Sequence, residues 1–266
     1  MAIATVDDIA AALAVAQRQN YLKTFTAAKS AGSYLSSWRM AGMPGAAAAP
    51  PANNAGSGYT CDKSTAGALN YANGSVQNYL ARLAASGTQR GTLILVDRLW
   101  QCITTGFAAA TYTVTTPGSL PTRITDSGVG CEIWCEQSVA AGAASGTLTV
   151  NYLDTGGAAG AGVVAAVVSA PVAGQMQPVP LAVGDTGVSG IVSAVNSATW
   201  TSGTFGITVV KRIAEIPLQN AIGAGTILDW AGCLAAVPAD ACLGFIYLAE
   251  VTTAAIFSGQ LHIIDK

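Results

Sequence analysis

The chain has 266 residues and a formal net charge of −2; only 10% of its residues are Asp, Glu, Lys or Arg, whereas 51% are hydrophobic. Because an average soluble protein has about 25% charged residues, we expect partner molecules to cover much of this surface. The lack of clustered Lys and Arg argues against a nucleic-acid partner, and no apolar run reaches the about 18 residues of a membrane span.

The N-terminal region, residues 1–60, is predicted to be a helix followed by an extended arm. Residues 5–8 (TVDD) resemble a capping box, and an apolar stripe of helical spacing continues from Ile9 towards Gly32. The acidic start of the chain does not resemble a secretory signal, so we expect synthesis in a cytoplasm. Residues 40–60 are rich in Ala, Gly, Pro and Asn without any charge, a composition that can lie extended across a neighbour.

The remaining residues, 61–266, are predicted to form a β-rich body. A short helix is predicted over residues 75–85, where apolar residues fall on one side. The strands are predicted from runs rich in Thr, Val, Ile and aromatics, over residues 91–100, 111–116, 130–138, 146–153, 161–168, 187–195, 203–211, 241–249 and 253–263. Since no long helical patterns alternate with them, the predicted fold is mainly β, an antiparallel β-sandwich or jelly-roll-like body.

The sequence offers no catalytic or metal-binding signature. His262 is the sole histidine, and we interpret it as structural or exposed. The six cysteines contain no CxxC motif, and we interpret them as reduced, buried residues. Glu132 and Glu136 are predicted on a solvated or rim face of their strand. We therefore expect a protein that is not an enzyme and has no cofactor and no bound metal.

Two adjacent opposite charges, Asp97 and Arg98, interrupt the apolar run of residues 91–102 (GTLILVDRLWQC). Neighbouring residues of a regular strand point to opposite faces, so each must find another partner. Lys211 and Arg212 end a second apolar strand, and we expect one of them to pair with Asp97 across strands or subunits. An unpaired buried charge costs about 3–5 kcal/mol, so such pairs fix the register of strands.

Several blocks resemble one family of virion structural proteins of tailed bacteriophages. The blocks occur in order at residues 38–45 (WRMAGMPG), 91–100 (GTLILVDRLW), 184–187 (GDTG), 211–217 (KRIAEIP) and 240–243 (DACL). The resemblance spans nearly the whole chain, but none of the blocks is a catalytic signature. Within that family, the head decoration (cement) proteins are the preferred identification.

The resemblance implies a β-rich subunit, a homotrimer on the outer capsid surface that bridges neighbouring major capsid proteins. It also implies synthesis in the cytoplasm of a bacterial host. In the arm, Trp38, Arg39 and Met43 are the candidate anchors to an adjacent subunit; the alternative is that Trp38 packs in the chain's own core. A second hypothesis is a tail or fibre component that binds a carbohydrate or receptor, with tryptophans stacked on sugar rings.

Overall fold

The computed structural model describes residues 5–26, 29–47, 58–74, 77–104, 109–113, 120–139, 146–164, 172–199, 202–219, 225–232, 234–252 and 254–265. Its helix α1 spans Val6–Ala14 and begins at the predicted capping box, in which Thr5 and Asp8 bond to each other's backbone. No helix in this described part has the length and apolarity needed to cross a membrane.

Seventeen strands follow α1 in the described residues. They are β1 (Gln17–Phe25), β2 (Tyr34–Ser36), β3 (Ala41–Met43), β4 (Tyr59–Thr60), β5 (Asn78–Gly87), β6 (Gly91–Thr104), β7 (Ala110–Thr113), β8 (Cys131–Val139), β9 (Leu148–Leu153), β10 (Ala159–Val164), β11 (Gln175–Val179), β12 (Gly190–Asn196), β13 (Thr204–Leu218), β14 (Gly225–Asp229), β15 (Ala235–Val237), β16 (Leu243–Ala249) and β17 (Ala255–Asp265). A single 3-10 turn, Ser37–Arg39, separates β2 from β3.

Within the described residues these strands form three antiparallel sheets. A six-stranded sheet has the order β14-β5-β17-β1-β3, with β15 also paired to β5. A four-stranded sheet has the order β10-β9-β12-β7. The third has the order β13-β8-β11-β2-β16-β6-β4, and because β13 also pairs with β6 it closes on itself. We call this third sheet the barrel-like sheet.

The three sheets enclose separate apolar clusters. One cluster joins the six-stranded sheet, through residues such as Tyr21 and Phe257, to Phe245 of the barrel-like sheet. A second joins the four-stranded sheet, through Tyr152, to Ile133 and other residues of β8 and β13. A third contains Trp38, Ile94, Val96, Trp134, Met176, Val210 and Ile246. Because strands β2, β6, β8, β11, β13 and β16 all contribute to the barrel-like sheet, this third cluster packs inside it.

The predicted mainly β, antiparallel fold is confirmed, and most of the strands predicted after residue 90 occur where expected. Parts of three of them, residues 114–116, 165–168 and 253, lie outside the described residues, as do residues 48–57 of the predicted arm.

Two helical predictions are wrong. Over residues 78–85 the predicted helix is instead strand β5, which pairs with β17 on one edge and with β14 and β15 on the other. Residues 75 and 76 of the prediction lie outside the described residues. Pairing on both edges, with Leu80 and Leu83 fully buried, overrides the helical propensity of the segment. The first helix stops at Ala14, and the apolar residues beyond it belong to β1, whose inward positions are Tyr21, Lys23 and Phe25.

Candidate functional site

Strand β8 places a carboxylate inside the barrel-like sheet. Its residues alternate, so that Cys131, Ile133 and Cys135 face the four-stranded sheet, whereas Trp134 joins the interior cluster. Glu136 lies two residues beyond Trp134, on the same face, and is fully buried. The prediction of a solvated face for Glu136 is therefore wrong, because this face of the strand is the inside of a closed sheet.

Glu136 is held by several hydrogen-bond donors from across the fold. Among the described residues they are Ser36 Oγ (2.9 Å), Trp38 Nε1 (2.7 Å) and Arg39 Nε (2.9 Å) to its Oε1, and Gln101 Nε2 and Thr208 Oγ1 (3.0 Å) to its Oε2. Arg39 supplies the opposite charge, and both side chains of this ion pair are almost completely buried. A buried carboxylate is tolerated only when paired and hydrogen-bonded in this way.

The Glu136 contacts change the interpretation of the predicted arm. Trp38 and Arg39 pack into the chain's own core and bind Glu136, which is the alternative that the sequence analysis kept for Trp38. Only Met43, the third predicted anchor, is exposed; it lies on β3 opposite Leu22 of β1. The cause is the short β2, which pairs with β11 and β16 and so draws residues 34–39 into the barrel-like sheet.

A second charged cluster surrounds Asp97, which is buried on β6. Arg123 binds both of its carboxylate oxygens, each at 2.8 Å, and the backbone N–H of Cys242 donates to Oδ1 at 2.8 Å. Burial raises the pKa of Asp97, and the hydrogen bonds and charge of Arg123 oppose that shift. The predicted pairing of Asp97 with Lys211 or Arg212 is wrong.

Lys211 does lie opposite Asp97 in the register of β13 and β6, but its side chain turns to the exposed Asp126. Arg212 pairs with Glu132 in the same manner at the surface. The register shifts next to this point, so that Leu99 has no counterpart on β13. A bulge of this kind reorients neighbouring side chains, and it occurs beside the two charges that interrupt β6.

Arg98, the other charge on β6, is buried and contacts sulfur, a backbone oxygen and an aromatic ring. Its Nε and Nη2 lie 3.4 and 3.2 Å from Cys242 Sγ, and Nη2 donates to the carbonyl of Ala66 at 3.0 Å. Its guanidinium carbon stands 5.1 Å from the centre of the Trp38 ring. Trp38 therefore contacts both Arg98, through its ring, and Glu136, through its indole N–H.

The hydrogen bonds and ion pairs of these clusters mainly hold distant segments of the chain together. Within the described residues, no group of three or more His, Cys, Asp and Glu side chains is arranged to hold a metal ion. His262 bonds to Gln260 of its own strand. The sequence prediction missed Glu136 and Arg123. Alternation places Glu136 on the same face as Trp134, but nothing in the local sequence marks that face as the inside of a closed sheet or Arg123 as a partner of Asp97.

Comparison with known proteins gives little further information. No protein-family model and no curated protein matches the chain. Among solved structures, the Gt strain of infectious bursal disease virus aligns with 9% identity over 94% of this chain and 81% of the other, with a TM-score of 0.19. The VP2 subviral particle of the same virus gives 9% identity over 94% and 80%, with a TM-score of 0.21. Scores this low carry no argument about the function of the chain.

Proposed function

We propose that the chain is a structural virion protein of a tailed bacteriophage, a decoration protein that binds the outer capsid surface. Its partners in this proposal are the major capsid protein and further copies of the chain. The ordered sequence blocks that resemble the phage family support the proposal, and so does the surface of the six-stranded sheet. The chain would be made in the cytoplasm of the bacterial host and would act without catalysis.

The observation that carries this proposal is a row of exposed apolar side chains at one end of the six-stranded sheet. Leu22 and Met43 lie opposite each other on β1 and β3, with 42% and 53% of each residue exposed. Ile256, 43% exposed, lies on the adjacent β17 opposite Thr24, two residues along β1 from Leu22. We call Leu22, Met43 and Ile256 the apolar row.

The apolar row is suited to repeated contacts in a particle. Burying one such side chain contributes about 1.5–3 kcal/mol relative to leaving it exposed, so covering all three would favour association appreciably. A shell repeats each contact many times, and a decoration protein can therefore stabilise it through buried area alone. The buried carboxylates Glu136 and Asp97 pair inside the fold with Arg39 and Arg123. The few charges of the chain are therefore consistent with a surface that associates through apolar contacts.

The proposal is tested by replacing the apolar row with serine (Leu22→Ser, Met43→Ser, Ile256→Ser) and measuring co-sedimentation with phage capsid shells that lack the chain. We expect binding to fall at least about ten-fold, the effect of losing 1.4 kcal/mol. The matched control is Val183→Ser, an exposed valine in the turn after β11, which should bind like the unchanged chain. Failure of the unchanged chain to bind shells would contradict the proposal.

A specific cleft favours the second candidate, a tail or fibre component that binds carbohydrate. The cleft, of about 460 Å³, lies on the six-stranded sheet near α1, and its lining includes Arg18, Arg82, His262, Asp229 and Trp230. His262 is opposite Arg82 on one neighbouring strand and opposite Arg18 on the other. Two arginines beside an indole ring suit a sugar that carries a carboxylate.

Asp229 is the one carboxylate among the described residues that line the cleft, and it lies opposite Arg82 in the register of β14 and β5, so two arginines and one carboxylate leave an excess of positive charge. Asp229 accepts bonds from the N–H groups of its own turn, at Ala231 and Gly232. Neither arginine forms an ion pair with any carboxylate in the described ranges. Burial, followed by the charges of Arg82 and Arg18, lowers the pKa of His262, so this ring is neutral at pH 7.

A glycan array comparing acidic with neutral sugars separates the two candidates. The carbohydrate hypothesis predicts binding of acidic glycans by the unchanged chain and loss of that binding in the double variant Arg18→Gln, Arg82→Gln. The exposed Arg90→Gln, between β5 and β6, is the matched control. Binding to capsid shells without any glycan binding would exclude this second candidate.

A further inference from the structure

Arg98 is a buried cation that lacks a carboxylate partner. Asp97 is engaged by Arg123, and Glu136 is engaged by Arg39. No acidic side chain in the described ranges lies within ion-pair distance of Arg98. An arginine remains charged in a protein, and an uncompensated buried charge is strongly unfavourable. We therefore expect a counter-ion, and among the groups that contact the guanidinium the one that can ionise is the Cys242 thiol.

The charges of this region balance only when Cys242 has lost its proton. Asp97 and Arg123 contribute one negative and one positive charge, and Arg98 contributes a second positive charge. Tyr59, which packs against the same cluster, stays protonated because burial raises its pKa. A Cys242 thiolate makes this set of buried groups neutral, whereas a Cys242 thiol would leave one positive charge in excess.

Cys61 lies beside Cys242 in the same buried cluster. The backbone N–H of Cys61 donates to the carbonyl of Leu99 at 2.9 Å, and the carbonyl of Cys242 accepts from the N–H of Arg98 at 2.9 Å. The two cysteines thus occupy successive positions along one edge of β6, between the end of β4 and the start of β16.

We infer that Cys242 is a thiolate paired with Arg98, and that Cys61 and Cys242 together form a dithiol site that is oxidised by small peroxides. The inference is independent of the proposed virion function. A hydrogen bond from Cys61 and the charge of Arg98 lower the pKa of Cys242 to about 7, against the opposing effects of burial and of Asp97. Burial and the contact with Cys242 raise the pKa of Cys61, which therefore keeps its proton.

Oxidation by hydrogen peroxide proceeds in two balanced steps. The Cys242 thiolate attacks one peroxide oxygen, the O–O bond breaks, hydroxide leaves, and Cys242 becomes a sulfenic acid. The Cys61 sulfur then attacks the Cys242 sulfur; the S–O bond breaks, the thiol proton leaves with the hydroxyl group as water, and a disulfide forms. The two sulfurs together lose two electrons, which reduce the peroxide.

The surroundings select a small, uncharged oxidant. Both cysteines are fully buried and neither lines a described cleft, but the lining of a cleft of about 410 Å³ includes Thr60 and Asp240. These residues are one and two positions from Cys61 and Cys242 in the sequence. Local movement of the chain between these residues and the cysteines would admit a peroxide, whereas a bulky disulfide such as oxidised glutathione would be excluded.

The test is peroxide treatment of the full chain at pH 7, alkylation of the remaining thiols and peptide mass spectrometry. We expect a Cys61–Cys242 disulfide, formed at least about ten-fold faster than any oxidation of Cys102, Cys131 or Cys135, since reactivity follows the thiolate fraction. Those three are internal controls, because burial raises the pKa of each thiol to about 12. Equal rates at Cys61, Cys242 and these three controls would overturn the inference.

Variants separate the roles of the three side chains. In Cys61→Ser the sulfenic acid should persist at Cys242 and be trapped by dimedone, and in Cys242→Ser the reaction at Cys61 should disappear. Thiolate absorbance at 240 nm should be present at pH 7 in the unchanged chain and absent in Cys242→Ser. Arg98→Lys, which keeps a positive charge, should retain more of this absorbance than Arg98→Met. If Arg98→Met does not fold, the absorbance of the unchanged chain and of Cys242→Ser still decides the question.

Discussion

The indole nitrogen of Trp38 donates a 2.7 Å hydrogen bond to Oε1 of Glu136, a residue 98 positions later in the chain. This bond joins the turn after β2 to the interior face of β8. Together with the pairing of β2 with β11 and β16, it holds Trp38 in the core rather than on a neighbouring molecule. The stability of the barrel-like sheet should depend on it.

Glu136→Gln should lower the free energy of unfolding by about 3–5 kcal/mol, because it leaves the buried Arg39 without its opposite charge. Urea denaturation at pH 7 measures this change. Glu132→Gln is the matched control on the same strand: its side chain is 32% exposed and pairs with Arg212, so a change within about 1 kcal/mol is expected. Equal effects of the two substitutions would contradict the structural role of Glu136.

Trp38→Phe keeps a large ring in the interior but removes the N–H donor to Glu136. We expect a loss of about 1.5–3 kcal/mol of stability, the contribution of a hydrogen bond to a charged group. Trp134→Phe removes a comparable donor to the half-buried Glu132 and should cost less. Were Trp38 instead an anchor to another subunit, Trp38→Phe would leave the unfolding of the isolated chain unchanged.

Asp97 and Arg123 should be strongly coupled, whereas Asp97 and Lys211 should not be. A double-mutant cycle with Asp97→Asn and Arg123→Met is expected to give a coupling energy above about 1 kcal/mol, as for residues in direct contact. The same cycle with Lys211→Met should give a value near zero, because that side chain binds Asp126. Thermal denaturation of the single and double variants provides both cycles.

Lys23 should make the stability of the chain depend on alkaline pH. It is buried on β1, its Nζ donates to the carbonyl of Pro44 at 2.6 Å, and burial lowers its pKa from 10.5 to about 8. Between these two values the unfolded chain keeps a proton that the folded chain has released, so stability rises with pH across this window. The rise amounts to at most about 3 kcal/mol.

Comparison with Lys23→Met isolates this contribution, since the variant lacks the titrating group and all other groups are shared. Urea denaturation of both proteins from pH 7 to pH 10.5 should show the difference in their stabilities changing with pH. A constant difference would mean that Lys23 keeps its ordinary pKa in the folded chain.

The sequence predicted those parts of the fold whose pattern is local. Strands such as β6 and β16 are continuous runs of β-favouring residues, and their existence required no knowledge of their neighbours. Strand β5 could not be predicted in the same way, because its Leu and Ala residues favour a helix and only pairing on both edges makes it a strand.

The charged clusters around Asp97 and Glu136 were likewise predictable only where the signal is local. The sequence indicated that Asp97 and Arg98 need partners, because charges in an apolar strand are costly. It could not identify Arg123, which lies in an irregular segment, or predict that Lys211 would turn towards Asp126. Glu136 was misplaced because strand alternation shows only which residues share a face, and not that the sheet closes around that face.

The order of strands in the barrel-like sheet has a consequence for synthesis on the ribosome. Strand β2 pairs with β11 and β16, which are synthesised much later. The barrel-like sheet can therefore close only after about residue 249 has left the exit tunnel. Until then Trp38 and Trp134 lack their final enclosure, and nascent chains are vulnerable to premature aggregation. With pairings this distant in sequence, we expect slow folding, on the order of milliseconds to seconds or longer.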